Sequence, residues 1–270
     1  VKWEEDKVYV DALYQGYLDA CRTFKWEKDG KDNKEYIREI FEEKEIVGDM
    51  KNYLRADKLE SFDEIHKKIC VNLIEKCKER TNMTYGQAQK IINMAFKYLY
   101  CCKHDSAMEE RFKACHMPLD SFSLEWFKRK FKEKNFSNLD SYSENNKELP
   151  ENLFTKKGEK KLKAESIGSW SSMQTWEEDC KKQEYPYEFY AHVIKQYCKE
   201  NSITPLQLDF IVWSKMQKIM AAESFIKTFK DDDEENKEVI NSEELEPYDI
   251  LNLKTTLENR LSEIRPLICK

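Results

Sequence analysis

Glycine and proline are scarce in this chain, with 6 of each in 270 residues. Tight hairpin turns need glycine's access to positive φ or proline's fixed φ, so a fold of many short strands would lack its turn chemistry. No apolar run reaches the roughly 20 residues that a membrane-spanning helix needs, so no membrane partner is expected. The glycine-rich loops are missing as well. There is no Gly-x-x-x-x-Gly-Lys-Ser, no Gly-x-Gly-x-x-Gly and no Gly-x-Ser-x-Gly, which leaves nucleotide-hydrolase, dinucleotide-binding and serine-hydrolase readings without support. The opening Val1-Lys-Trp-Glu-Glu-Asp lacks the apolar stretch of a secretory signal, and without an initiator Met it points to removal of an upstream piece.

What is present favours helices. Hydrophobic residues make up 40% and aromatics 13%, enough for a substantial core, and 36% charged residues imply a heavily solvated surface. An all-α, multi-helix globular fold is expected, with two helical lobes and a cleft between them as one arrangement. Nine cysteines is an odd number, and Cys70, Cys77, Cys101, Cys102 and Cys198 fall within helical patterns. That argues against a disulfide framework and for a reducing, cytoplasmic setting. Cys101, Cys102, His104, Cys115 and His116 cluster in sequence but contain no Cys-x-x-Cys, so no metal and no cofactor is assigned.

The net charge of -6 argues against a simple nucleic-acid binder. Its distribution softens that objection. From Gly86 to Lys163 there are 16 Lys and Arg against 11 Asp and Glu, a balance of +5, so the remainder carries -11. An acidic protein can still present one basic face, although such an excess is commonly just solvated helix surface.

Along the chain, apolar spacing predicts helices over Glu4 to Phe24 and Asn33 to Ile46, with a shorter segment around Met50, Tyr53 and Leu54 after Gly48. Ser61 and Glu64 form a capping-box signature for a helix to about Arg80. Further helices are expected over about Gln87 to Lys103, around Phe112, over Ser121 to Lys134, over Pro186 to Glu200, from the Thr204-Pro205 cap to about Phe229, and over Pro247 to Ile264. Residues 1–134 would form one helical lobe, and residues 170–270 would pack back onto it. Between them, residues 135–169 read as a polar, basic loop or linker holding the run from Lys156 to Lys163. Asp231 to Glu235 reads as an acidic break.

The most distinctive stretch runs from Thr84 to Trp126. A glycine turn at Gly86 opens an apolar helix that carries Lys90 in its first turn, and Pro118-Leu-Asp120 opens another. The positive end of a helix dipole disfavours a protonated amine, so Lys90 there could act as a nucleophile. The plainer reading makes Lys90 a solvated helix lysine and Asp120 an N-cap that accepts a backbone N–H.

Gly86-Gln-Ala-Gln-Lys90, an apolar helix and Pro118-Leu-Asp120 in that order resemble the helix-hairpin-helix DNA glycosylases. The wide Lys90 to Asp120 interval is most similar to the 8-oxoguanine branch. Pro205-Leu-Gln-Leu-Asp209 followed by Trp213 echoes that branch's closing helices. The resemblance implies a Schiff base from Lys90 to the sugar, with Asp120 assisting departure of the base. It also implies phosphate binding by the amides of Gly86 and Gln87. DNA is then the partner, with Lys97, Lys128 and Arg129 as further contacts and Tyr85, Trp126 or Trp213 stacking on an extruded base. The pattern departs from the family where Met83-Thr-Tyr replaces Leu-Pro-Gly and Ala88 replaces the second glycine. The chain also looks like uncharacterised bacterial proteins that carry Gln-Lys-x-Ile-Asn. The alternative function is a non-catalytic helical module that binds protein or nucleic acid.

Overall fold

The computed structural model describes residues 5–27, 32–55, 61–102, 106–136, 151–155, 160–176 and 184–235. Among these residues the protein is all-α, with nine α-helices, short 3-10 turns and no sheet. The helices are α1 (Glu5–Ala20), α2 (Asn33–Glu42), α3 (Lys44–Arg55), α4 (Phe62–Cys77), α5 (Tyr85–Cys102), α6 (Ser106–Ala114), α7 (Ser121–Phe131), α8 (Tyr187–Glu200) and α9 (Pro205–Glu235). None of the described helices is long and apolar enough to cross a membrane.

Helix α5 is the axis of the fold. Every residue from Tyr85 to Phe96 is buried, because α1, α4, α6 and a 3-10 turn at Trp170–Ser172 close around it. A helix buried on all sides needs small residues where neighbours approach, and Gly16 of α1 supplies one. A Cβ there would overlap the carbonyl oxygen of Ile91. Ile91, Ile92, Ala95, Phe96 and Leu99 are fully buried, and each large apolar side chain so covered contributes about 1.5–3 kcal/mol. Buried residues from α1 through α9 belong to one hydrophobic cluster.

Several expected boundaries shift. The second predicted helix is two helices: Glu43 takes an extended conformation between α2 and α3, and Gly48 lies inside α3 rather than before it. Ser61 is the N-cap of α4, yet its side chain makes no capping hydrogen bond. The acidic run from Asp231 continues the backbone of α9 to Glu235 instead of breaking it. The predicted helix at Pro247 lies outside the described residues.

The described parts of 135–169 are irregular and partly exposed, but they also place several side chains in the core. Phe136, Leu153, Phe154 and Leu162 are buried, and isolated antiparallel bridges join Asn135 to Lys161 and Phe154 to Leu162. Phe154 and Phe136 gather against Tyr185 and Phe189, whose rings stack at 4.6 Å. These aromatics are too widely spaced along the chain to make a periodic pattern, but together they cover the start of α8. Lys156 to Glu159 lie outside the described residues.

Candidate active site

The start of α5 is built by a capping box that the sequence reading overlooked. The Thr84 N–H donates to Gln87 Oε1 at 3.0 Å, and the Gln87 N–H donates to Thr84 Oγ1 at 3.1 Å. Gly86 is therefore a residue of the first helical turn rather than a separate turn before it. Its lack of a side chain serves close approach: a Cβ would overlap the carbonyl oxygen of Trp170. The Gly86 N–H donates to the Met173 carbonyl at 2.7 Å. The amides of Gly86 and Gln87 are thus committed within the fold, which corrects their assignment to a DNA phosphate. Gln87 is buried, with its side-chain amide donating to the Thr23 carbonyl at 2.8 Å.

One turn on, Lys90 meets Asp120. Lys90 Nζ donates to Asp120 Oδ2 at 2.7 Å, with side-chain exposures of only 7% and 12%. Asp120 is the N-cap of α7, and its other oxygen, Oδ1, accepts the N–H groups of Phe122 and Ser123, both at 3.0 Å. Ser123 Oγ returns the box by accepting the Asp120 N–H at 2.6 Å. The capping role expected on plain grounds is therefore present, and the ion pair is added to it. Lys90 is not a solvated lysine; like Met94, it is buried.

A second pair lies two turns further along α5. Lys97 Nζ is 2.5 Å from Asp209 Oδ2 on α9, and that carboxylate is 3% exposed. Burial raises the Asp209 carboxyl above its ordinary range, with Lys97 and Lys90 pulling it back and Asp120 adding to the rise. The four groups thus act on one another. Lys97 Nζ also sits 4.6 Å from the centre of the Phe210 ring. Asp209 was not singled out from sequence, although it stands in the Pro205-Leu-Gln-Leu-Asp segment. The available signal was an acid directly after the apolar Leu206 and Leu208, on the side of the helix that their spacing marks as inward. Thr204 and Gln207 cap that helix reciprocally, at 3.0 and 3.2 Å.

Behind Lys90 lies a buried polar chain. Gln89 Nε2 donates to the carbonyls of Leu119 and Gly86, both at 2.9 Å, and Gln89 Oε1 accepts the Leu119 N–H at 3.2 Å. Asn93 Nδ2 donates to Gln89 Oε1 and to the Tyr187 hydroxyl, both at 3.0 Å. That hydroxyl lies 2.7 Å from His116 Nδ1, and His116 Nε2 lies 2.6 Å from Asp63 Oδ1. Lys195 donates to the same carboxylate oxygen at 2.6 Å.

Burial lowers the His116 imidazole to about 4, Lys195 reinforces the shift and Asp63 opposes it. His66, stacked on Tyr187 at 5.2 Å, is also pushed well below its ordinary value by burial and by the charge of His116. Burial pulls the Asp63 carboxyl upward, but His116 and Lys195 outweigh it and hold it well below the usual range.

The remaining expected contacts divide. Tyr85 is buried against His66 and Tyr187, and Trp126 is buried edge-on to Phe131 and Tyr197, so neither presents a face to an extruded base. Trp213 is 40% exposed, edge-on to Phe122, one turn after Asp209. Arg129 forks onto Glu223 at 2.9 and 2.7 Å and onto Glu125 at 2.8 Å, tying α7 to α9. Lys128 is half-buried on the same helix. Cys101 and Cys102 are exposed at the end of α5, Cys115 and His116 are buried, and His104 lies outside the described residues. Among the described residues no group of three or more His, Cys, Asp or Glu could hold a metal ion.

Comparison with protein-family models, with curated proteins and with solved structures gives no match to this chain.

Proposed function

We propose that the protein acts on DNA as a glycosylase-like enzyme, with Lys90 as nucleophile and Asp120 as its partner. The supporting observation is the meeting of the two side chains. They stand 30 residues apart in the chain, come from the second turn of α5 and the N-cap of α7, and pair at 2.7 Å. Their order in sequence is that of the helix-hairpin-helix glycosylases, and their juxtaposition is what that chemistry needs.

In this reading a proton passes from the Lys90 ammonium to the Asp120 carboxylate as a nucleotide docks against the pair. The freed amine adds to the sugar C1′, and the electron pair of the C1′–N bond leaves with the base, which takes the proton held by Asp120 and returns that side chain to a carboxylate. The new C1′-bound ammonium passes a proton to the Asp120 carboxylate, which delivers it to the ring oxygen as the sugar opens and leaves an iminium on Lys90. Asp120 faces the positive charge that develops on the sugar, where a preorganised carboxylate contributes most. Trp213 is the aromatic available for stacking.

The test is borohydride trapping on duplex oligonucleotides that carry 8-oxoguanine or an abasic site. The wild-type chain should give a covalent adduct, Lys90→Gln none, and Asp120→Asn a much slower one. Lys90→Gln retains a donor for Asp120, so circular dichroism should show a native fold. Equal trapping by Lys90→Gln, or none by the wild type, overturns the proposal.

A second reading is a non-catalytic helical module. It is favoured by the committed amides of Gly86 and Gln87 and by the burial of Tyr85 and Trp126. It expects no adduct from any variant.

A further inference from the structure

We propose that Gln89 is a positioning residue, which sets the Lys90–Asp120 pair by clamping the backbone that delivers Asp120. Its relevance to catalysis rests on the glycosylase reading, but the clamp itself does not. The loop from His116 to Leu119 has no regular hydrogen-bonded structure of its own, yet it must place Asp120 to within a few tenths of an ångström of Lys90. Gln89 is fully buried and lies next to Lys90 in α5. Its primary amide pairs with both polar groups of Leu119, accepting from the N–H at 3.2 Å and donating to the carbonyl at 2.9 Å. A side chain thus supplies what a neighbouring strand would supply elsewhere. The position of Asp120 is thereby referred to the same helical turn that carries Lys90.

The direction of every bond in the chain behind it follows from what each group can give. Gln89 Nε2 donates to the Gly86 and Leu119 carbonyls, so Gln89 Oε1 must accept. Asn93 must therefore present Nδ2 to Gln89, and it presents the same nitrogen to the Tyr187 hydroxyl. His116 Nε2 faces the Asp63 carboxylate and carries the proton, so a neutral ring offers Nδ1 as acceptor to the Tyr187 O–H. Gln89 consequently has one amide orientation open to it. The loop is gripped at both ends, at His116 through Tyr187 and Asp63 and at Leu119 through Gln89. A substitution that removes the Gln89 amide leaves the far grip intact and releases only the end that carries Asp120.

The test reads the pair directly. In the full chain labelled with 15N-lysine, the Lys90 Nζ resonance is assigned by its loss in Lys90→Gln. In wild type it should exchange with water far more slowly than the surface lysines. Gln89→Met, which keeps volume and removes both polar functions, should accelerate that exchange by roughly tenfold or more while helicity and a cooperative melt are retained. Wild-type exchange as fast as that of exposed lysines, or an unchanged rate in Gln89→Met, overturns the proposal.

Should Gln89→Met fail to fold, Gln89→Glu decides the matter. It keeps the acceptor for Leu119 N–H but places a charge against two carbonyls when ionised. Protection of Lys90 should then vanish on ionisation and return on protonation, whereas wild type stays constant over that range; matching pH profiles overturn the clamp. Where wild type traps DNA, Gln89→Met should slow trapping at least tenfold, a loss of the order expected from small misplacement, with DNA affinity within about threefold. If wild type does not trap DNA, the glycosylase reading falls and the exchange measurement still decides the clamp.

Discussion

Lys90 Nζ and Asp120 Oδ2 lie 2.7 Å apart at the beginnings of two helices, with both side chains almost wholly withdrawn from water. A buried pair of this kind costs desolvation on forming, and removing one partner strands the other charge. Lys90→Met should therefore destabilise the fold by about 3–5 kcal/mol. Asp120→Asn should cost less, because asparagine keeps the capping oxygen for Phe122 and Ser123. Denaturant melts of wild type, both single variants and the double variant form a cycle. The coupling should be about 1–3 kcal/mol, and a value near zero would mean that the two groups do not act together.

Gly86 and Gly48 make opposite predictions for one substitution. Gly86→Ala drives a methyl into the Trp170 carbonyl and Met173, both backbone-anchored, so it should cost several kcal/mol or prevent folding. Gly48 has nothing within 4 Å of an added Cβ and lies inside α3, so Gly48→Ala should stabilise by about 0.5–1 kcal/mol. Melting temperatures of the two variants check both signs.

Acid should loosen the protein through His116 and His66. Both imidazoles are held neutral by burial, His116 down to about 4 against an ordinary 6.5. As pH falls below 6.5 the unfolded chain takes up protons that the folded chain refuses, so the stability these groups contribute is complete above 6.5 and is lost towards 4. Asp63, whose carboxyl is lowered, would add its own loss at still lower pH. His116→Gln should flatten the slope of unfolding free energy between pH 6.5 and 4. The same slope in that variant would show that His116 is not the group responsible.

Trp213 and Trp126 separate contact from core. Trp126 is 1% exposed, and Trp126→Ala should cost about 3–5 kcal/mol. Trp213 is 40% exposed, so Trp213→Ala should change stability by less than about 1 kcal/mol. If Trp213 stacks on a base, the same variant should weaken binding of a single-stranded or damaged oligonucleotide by about 1–3 kcal/mol. Unaltered binding by fluorescence anisotropy would remove Trp213 from the proposed site.

Periodicity placed most helices to within a few residues, because an apolar stripe every three to four positions has only one good solution in water. Their places near the starts of two expected helices also marked Lys90 and Asp120, although Lys90 stands one turn further into α5 than expected and Asp120 is the cap of α7. Periodicity could not locate the break at Glu43, where the pattern of α2 runs on into α3 without a glycine or proline to stop it. It also missed the packing of Phe136 and Phe154, whose partners Tyr185 and Phe189 come from far along the chain.

By itself the amino-acid order determined an all-α protein with α5 as its most apolar segment, since composition and spacing act locally and every residue carries its own part of that signal. Only the tertiary structure decided that the Gly86 amide faces Met173, that Arg129 holds Glu223, that Lys97 finds Asp209 and that Gln89 grips Leu119. Each of those contacts depends on which groups burial brings together. A polar side chain that loses water must take whichever partner the packing of distant helices puts within reach.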